Sequence, residues 1–139
     1  MNGIAKIDME KIRFLLDTNV VISVLNKHFD LLKFLDTFPD CEVYINPVVM
    51  IEVLSKPNMN EHEESAARFL LDSFRLIEID KPVCDEAVKI RRTKELRLPD
   101  ALIAASSIIL NATVLSNDSR LLSYHQIGYK AITTNNSNE

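Results

Sequence analysis

Glycine is nearly absent from this chain: 139 residues contain two, Gly3 and Gly128. Loops that cradle phosphates or dinucleotides need several glycines at fixed spacing, so neither a P-loop nor a dinucleotide fingerprint can be written. Cysteine is equally sparse. Cys41 and Cys84 form no CxxC pair and have no histidines at zinc spacing. They read as two buried thiols of a reducing cytoplasm, not as a disulfide or a zinc site. Positive charge is not in excess: the formal net charge is -4 and the pI about 5.4. That excludes a uniformly basic surface for nucleic acid, so any such function needs a local basic patch or a bound cation. Long apolar runs are missing too. The longest, Ala101 to Leu110, includes Ser106 and Ser107 and falls short of the ~20 residues that span a bilayer. Met1 to Ile12 mix charge with short apolar side chains and show no continuous apolar core of a signal peptide. A cytoplasmic protein without a membrane segment is expected.

What is present is ordinary for a globular domain: 47% hydrophobic and 26% charged residues, enough to build a core without disulfides or a structural metal. The length fits one domain over residues 1–139, with 134–139 as a polar, disordered tail. Ile12 to Leu16 is a short apolar run that reads as a buried strand. Helices are expected over Asn19 to Asn26 and Phe29 to Phe38. Cys41 to Ile45 alternates like a strand. Asn46-Pro47 is a helix start, with Asn as cap and Pro at the first position, and that helix runs to Ser55. Glu61 to Ser73 is amphipathic, with Ala66, Phe69 and Leu70 on its apolar face. A strand over Phe74 to Ile79, a helix from Pro82 to Leu96 and an almost wholly apolar, central helix from Pro99 to Leu110 follow. Thr113 to Ser116 is a further strand, Ser119 to Tyr124 a short helix, and Tyr129 to Thr133 an edge strand. Strands alternating with helices predict a three-layer α/β/α sandwich around a mostly parallel sheet of four to five strands.

Acids stand at the ends of the apolar segments. Asp17 directly follows Phe14-Leu15-Leu16, and Asp118 follows Val114-Leu115-Ser116-Asn117. Both lie past the C-terminal ends of parallel strands, where open α/β sheets bind ligands. Asp100 opens the helix that feeds the fourth strand and so belongs on the same rim. Glu52 lies in the apolar helix Val48 to Leu54, where a charge needs a partner. Carboxylates about 5 Å apart repel by roughly 3 kcal/mol per pair at an effective dielectric of about 20. Either some protonate or a cation is bound. A hard divalent ion, Mg2+ or Mn2+, takes such oxygen ligands and stabilises charge on a phosphoryl group in hydrolysis.

Each acid also has a plainer reading. Asp17 can be a helix N-cap, Asp100 a first-turn partner of the helix dipole, and Asp118 a cap for the helix after it. Glu52 can pair with Lys56 at i+4. Three acids converging on one rim favour the shared pocket.

At these residues the chain resembles the PIN-domain nucleases, and among them the VapC-type toxins of toxin–antitoxin pairs. The resemblance is carried by Leu16-Asp17-Thr18-Asn19-Val20-Val21-Ile22, Ile51-Glu52-Val53-Leu54, Leu98-Pro99-Asp100-Ala101-Leu102-Ile103-Ala104-Ala105 and Val114-Leu115-Ser116-Asn117-Asp118. It spans Arg13 to Ile132. It implies a metal-dependent endoribonuclease, with Asp17, Glu52 and Asp100 as core Mg2+ or Mn2+ ligands and Asp118 completing the set directly or through water. Thr18 or Asn117 would orient a ligand or water. Metal-activated water would attack an RNA phosphodiester, tRNA among the possible targets, and leave a 3′ hydroxyl. A cognate antitoxin and a homodimer are implied as partners. The chain departs from the family pattern at Ser116, where many relatives carry Thr, and at Leu121-Leu122, where many carry Asp-Phe. Two readings compete: a PIN-like domain that binds RNA or protein without cutting, and a haloacid-dehalogenase phosphatase, for which Asp17-Thr18-Asn19 is a faint match lacking the second acid.

Arg91, Arg92, Lys94 and Arg97 precede Asp100 and are candidates for RNA phosphates, the alternative being a solvated helix face. Phe29, Leu32 and Phe34 are expected in the core, with an antitoxin groove as the alternative. His28, His62 and His125 are assigned no chemistry.

Overall fold

The computed structural model describes residues 11–93, 96–117 and 128–131. The chain runs β1 (Arg13–Leu16), α1 (Thr18–Leu25), α2 (Leu31–Leu35), β2 (Glu42–Ile45), α3 (Pro47–Leu54), α4 (Glu61–Asp72), β3 (Arg75–Leu76), α5 (Lys81–Thr93), α6 (Leu98–Leu110), β4 (Thr113–Ser116) and β5 (Gly128–Ala131). The five strands form one sheet in the order β3-β2-β1-β4-β5. All of its pairings are parallel. Sequential strands in parallel need crossovers, and from β1 to β4 the helices supply them, covering the sheet. This is the expected α/β architecture. The helix expected over Ser119 to Tyr124 and the tail at 134–139 lie outside the described residues.

β1 is buried along its whole length, as a central strand covered on both faces must be. The larger apolar core joins Phe14, Leu15 and Leu16 to Val20 and Val21 of α1, Val49 and Val53 of α3, and Ala67 and Leu71 of α4. A second core lies between α5 and α6, around Val83, Ala87, Ile90, Ala101, Ala104 and Ala105. α6 is buried at Ala104, Ala105, Ser106 and Ser107. Small side chains there let the helix approach the sheet closely, and the central position expected for it is the one it takes.

The Asn46-Pro47 start holds as read. Asn46 Oδ1 accepts from Val49 N at 3.1 Å, and Pro47 occupies the first turn. The Asn46 amide also donates to Ser106 Oγ at 3.3 Å and lies 3.5 Å from Leu102 O. One fully buried side chain thus caps α3 and fastens it to α6. Arg13 and Glu42 are partners across β1 and β2, and their side chains meet at 3.1 Å.

Several expectations differ from the structure. The Phe74 to Ile79 strand shrinks to Arg75–Leu76. Its partner β2 ends at Ile45, Asn46 turns away as a helix cap, and Pro47 has no amide hydrogen to extend a ladder. A last bond, Ile77 N to Ile45 O at 2.9 Å, closes the edge. The Phe29 to Phe38 helix is confined to Leu31–Leu35. Phe29 and Phe34 pack against the core, where Phe14, Phe34 and Phe38 meet edge-on or tilted with centroids 5.1 to 5.5 Å apart. Leu32 does not; it is 76% exposed. The apolar face of α4 is Ala67 and Leu71, not Ala66 and Phe69, and Phe69 is 82% exposed. Cys41 is half-buried and Cys84 exposed, so the second is not the buried thiol expected.

Candidate functional site

β1 delivers Asp17 to the C-terminal rim of the sheet. Its amide donates to Leu115 O at 3.0 Å, extending the β1–β4 pairing by one bond. The register pairs Leu16 with Leu115, so the next residues of the two strands, Asp17 and Ser116, come side by side. Ser116 Oγ donates to Asp17 Oδ2 at 2.7 Å. Asp17 is also the N-cap of α1, with Oδ1 accepting from Thr18 N at 2.8 Å. Asn19 Nδ2 lies 3.5 Å from both Asp17 Oδ2 and Ser116 Oγ, and Asn19 Oδ1 accepts from Asn117 N at 3.3 Å. Asp17 is buried, and donors from the start of α1 and the end of β4 hold its carboxylate in one orientation. The capping reading and the pocket reading of Asp17 are both satisfied by one geometry.

Asp100 sits in the first turn of α6 and is buried. The helix N-terminus favours its negative charge. Arg97, at the N-cap position of the same helix, places Nε 3.7 Å from Asp100 Oδ2. Glu52 arrives from α3. It is exposed, so the premise of a charge trapped in an apolar helix is corrected: the helix turns this position outward. Its partner is the Thr18 hydroxyl, which donates to Oε1. Lys56, the i+4 alternative, instead meets Glu63 at 3.5 Å.

Asp17, Glu52 and Asp100 line one cleft of about 320 Å³ with Thr18, Asn19, Arg97 and Ile103. Asp118 and Lys94 lie outside the described residues. Asn117 is exposed and does not line the cleft; its amide serves to tether Asn19. Arg91 and Arg92 line a separate shallow groove on α5 and α6 with Cys84, Val88, Leu98 and Leu102. Arg91 Nη1 donates to Leu96 O at 2.9 Å, holding the turn between these helices. Sequence reasoning overlooked Ser116 and Asn19 as positioning groups. No signal in the sequence marks the first, because its place beside Asp17 follows from the pairing of β1 with β4.

A larger cavity, about 910 Å³, opens elsewhere, between α1, α2, β2 and α4. It is lined mainly by Val24, Phe29, Leu31, Leu32, Leu35 and Phe74. Size does not make it the chemical centre, because its two acids are already engaged: Asp30 caps α2 and Glu42 is held by Arg13 and Arg75.

The acidic cleft offers hard oxygen donors and room for a small ion that keeps part of its water shell. Among the described residues, no three acidic, histidine or cysteine side chains close on a common point as they stand. An ion that retains waters needs few direct protein ligands, so Asp17 and Asp100 fit such a site with Glu52 on the same cleft.

The sequence profile of the PIN domain matches residues 14–126. The chain belongs to the PIN-domain family. Solved structures agree in fold with this PIN domain. VapBC2 from Rickettsia felis, solved with a fragment of promoter DNA, is similar at 21% identity and a TM-score of 0.74, over 86% of this chain and 98% of that one. A toxin–antitoxin complex from Klebsiella pneumoniae shares 22% identity at a TM-score of 0.70, over 86% and 95%. DNA-bound VapBC from Salmonella typhimurium shares 15% at a TM-score of 0.74, over 86% and 98%. No curated protein sequence matches the chain. Among the described residues, no helix is long and apolar enough to cross a membrane.

Proposed function

We propose that this PIN domain is a divalent-metal-dependent endoribonuclease and the toxin of a toxin–antitoxin pair. The observation that carries the reading is the convergence of Asp17, Glu52 and Asp100 on one cleft at the C-terminal rim of a parallel sheet. PIN domains are generally nucleases, and the similar solved structures named above are toxin–antitoxin complexes.

Asp17 and Asp100 would hold Mg2+ or Mn2+, with Glu52 and Asp118 completing the set directly or through water. Such an ion, when bound, supplies a Lewis acid that makes water a nucleophile at neutral pH and screens the transferring phosphoryl group. Ser116 and the Thr18 amide fix the plane of the Asp17 carboxylate, which sets the direction of its lone pairs. Thr18 holds Glu52 at the cleft's edge, from where it can take a proton from water. Hydrolysis of an RNA phosphodiester, leaving a 3′ hydroxyl, is the reaction such a site serves. The exposed Leu32 beside the apolar cavity is surface that a protein partner such as an antitoxin would profitably bury. A homodimer and a cytoplasmic location complete the proposal.

The test is incubation of the purified chain with total cellular RNA in Mg2+, in Mn2+ and in EDTA. Cleavage with either ion and none in EDTA is expected; cleavage indifferent to EDTA overturns the mechanism.

A second reading has one observation in its favour. Arg97, the basic side chain that lines the cleft among the described residues, is 69% exposed, which suits a domain that binds RNA without cutting it. Tight RNA binding with intact RNA under every divalent ion would select that reading.

A further inference from the structure

The acidic cleft contains its own cation. Arg97 is the basic side chain among the described residues that line it. The two members of its ion pair are unequal. The Asp100 side chain is 10% exposed and fixed by the first turn of α6, whereas that of Arg97 is 69% exposed. No side-chain cap bond holds the N-cap position that Arg97 occupies. At 3.7 Å, Nε lies beyond hydrogen-bond length from Asp100 Oδ2. A pair that long, with its cationic member largely in solvent, is weak and easily exchanged. A phosphate oxygen pair is a better match for the guanidinium fork than this single carboxylate oxygen. Arg91 offers no such choice, because its guanidinium already donates to Leu96 O at 2.9 Å.

We propose that Arg97 is an exchangeable positioning residue: it faces Asp100 when the cleft has no substrate, and transfers to a phosphodiester when one arrives. It therefore competes with a divalent ion for Asp100 and holds the substrate phosphate beside that ion. This rests on the reading of the cleft as a metal-dependent phosphodiesterase site. By linkage, a ligand that draws Arg97 away must strengthen ion binding at Asp100, and the ion must strengthen that ligand's binding by the same factor.

The experiment is Mn2+ titration of the full chain followed by electron paramagnetic resonance, without RNA. Wild type, Arg97→Gln, Arg97→Lys and Asp100→Asn are compared, each with and without dimethyl phosphate as the bare phosphodiester. Arg97→Gln is expected to bind Mn2+ about two- to five-fold more tightly than wild type, the scale of one solvent-screened ion pair. Arg97→Lys, which keeps the charge, should return towards wild type. Dimethyl phosphate should tighten Mn2+ binding in wild type and lose that effect in Arg97→Gln. Equal Mn2+ affinity in wild type and Arg97→Gln, with binding still lost in Asp100→Asn, overturns the proposal and leaves the metal site standing. A wild type that binds no Mn2+, or binds it unchanged in Asp100→Asn, overturns both.

Discussion

Ser116 Oγ donates a 2.7 Å hydrogen bond to Asp17 Oδ2 across a separation of 99 residues. The bond exists because β1 and β4 are adjacent and parallel, so the residues that end them fall side by side. Ser116→Ala should lower RNA cleavage by about 10- to 100-fold, the usual effect of removing an outer partner of a metal-ligating carboxylate. Ser116→Thr keeps the hydroxyl and should retain activity. Single-turnover cleavage of the two variants, both folded by circular dichroism, checks this; full activity in Ser116→Ala would show that the bond is incidental.

Asn46 links the helix of Glu52 to the helix of Asp100. Asn46→Ala removes the cap of α3 and leaves buried groups on α6 short of a donor. A loss of about 2 kcal/mol or more is expected, seen as a lower urea midpoint at unchanged slope. A change below about 0.5 kcal/mol would mean that water replaces both bonds.

The start of α4 is acid-sensitive. The Asn60 amide donates to Glu63 Oε1 at 3.0 Å, and Asn60 Oδ1 accepts from Glu63 N at 2.7 Å. The Asn60 amide first, and Lys56 second, hold the Glu63 carboxyl below its ordinary 4.5. A lowered folded-state pKa means that this contribution is present above the ordinary value and is lost as pH falls through the lowered one. The Tm difference between wild type and Glu63→Ala should therefore shrink below pH 4.5. A difference constant from pH 3 to 6 would contradict the capping box.

The cysteines should separate by reactivity. Cys84 is exposed. Cys41 is half-buried, and burial raises its thiol above the ordinary 9.0, leaving less thiolate at neutral pH. Iodoacetamide on the native chain should label Cys84 first, with Cys41 catching up only in urea. Mass spectrometry of the peptides decides it, and early labelling of Cys41 would contradict the packing around β2.

Asp17, Asp100 and the α3 start were legible because each follows from local chemistry. An acid after an apolar strand and Asn-Pro before an apolar helix have few placements in a parallel α/β sheet. Glu52 reached the cleft by a different route from the one expected. Sequence showed a charge among apolar residues, but α3 exposes both Ile51 and Glu52, a fact set by which helices cover it. α4 defeated its own pattern. Ala66-Phe69-Leu70 and Ala67-Leu70-Leu71 are overlapping stripes on one helix, and only packing against α1 and α3 chooses between them. β3 was overestimated because an edge strand can be no longer than its partner, and β2 ends where Asn46 leaves to cap α3. Ser116 and Asn19 could not be singled out without knowing which strand lies beside β1.

Single-turnover cleavage of RNA by wild type and Asp17→Asn at saturating Mn2+, with circular dichroism on both, tests the centre of this account. The substitution keeps the shape of the side chain and removes its charge from the cleft. Cleavage should fall by more than about 100-fold, beyond the loss of an outer partner, with the fold unchanged. A folded Asp17→Asn that cuts RNA as fast as wild type would contradict the acidic cleft as the site of reaction.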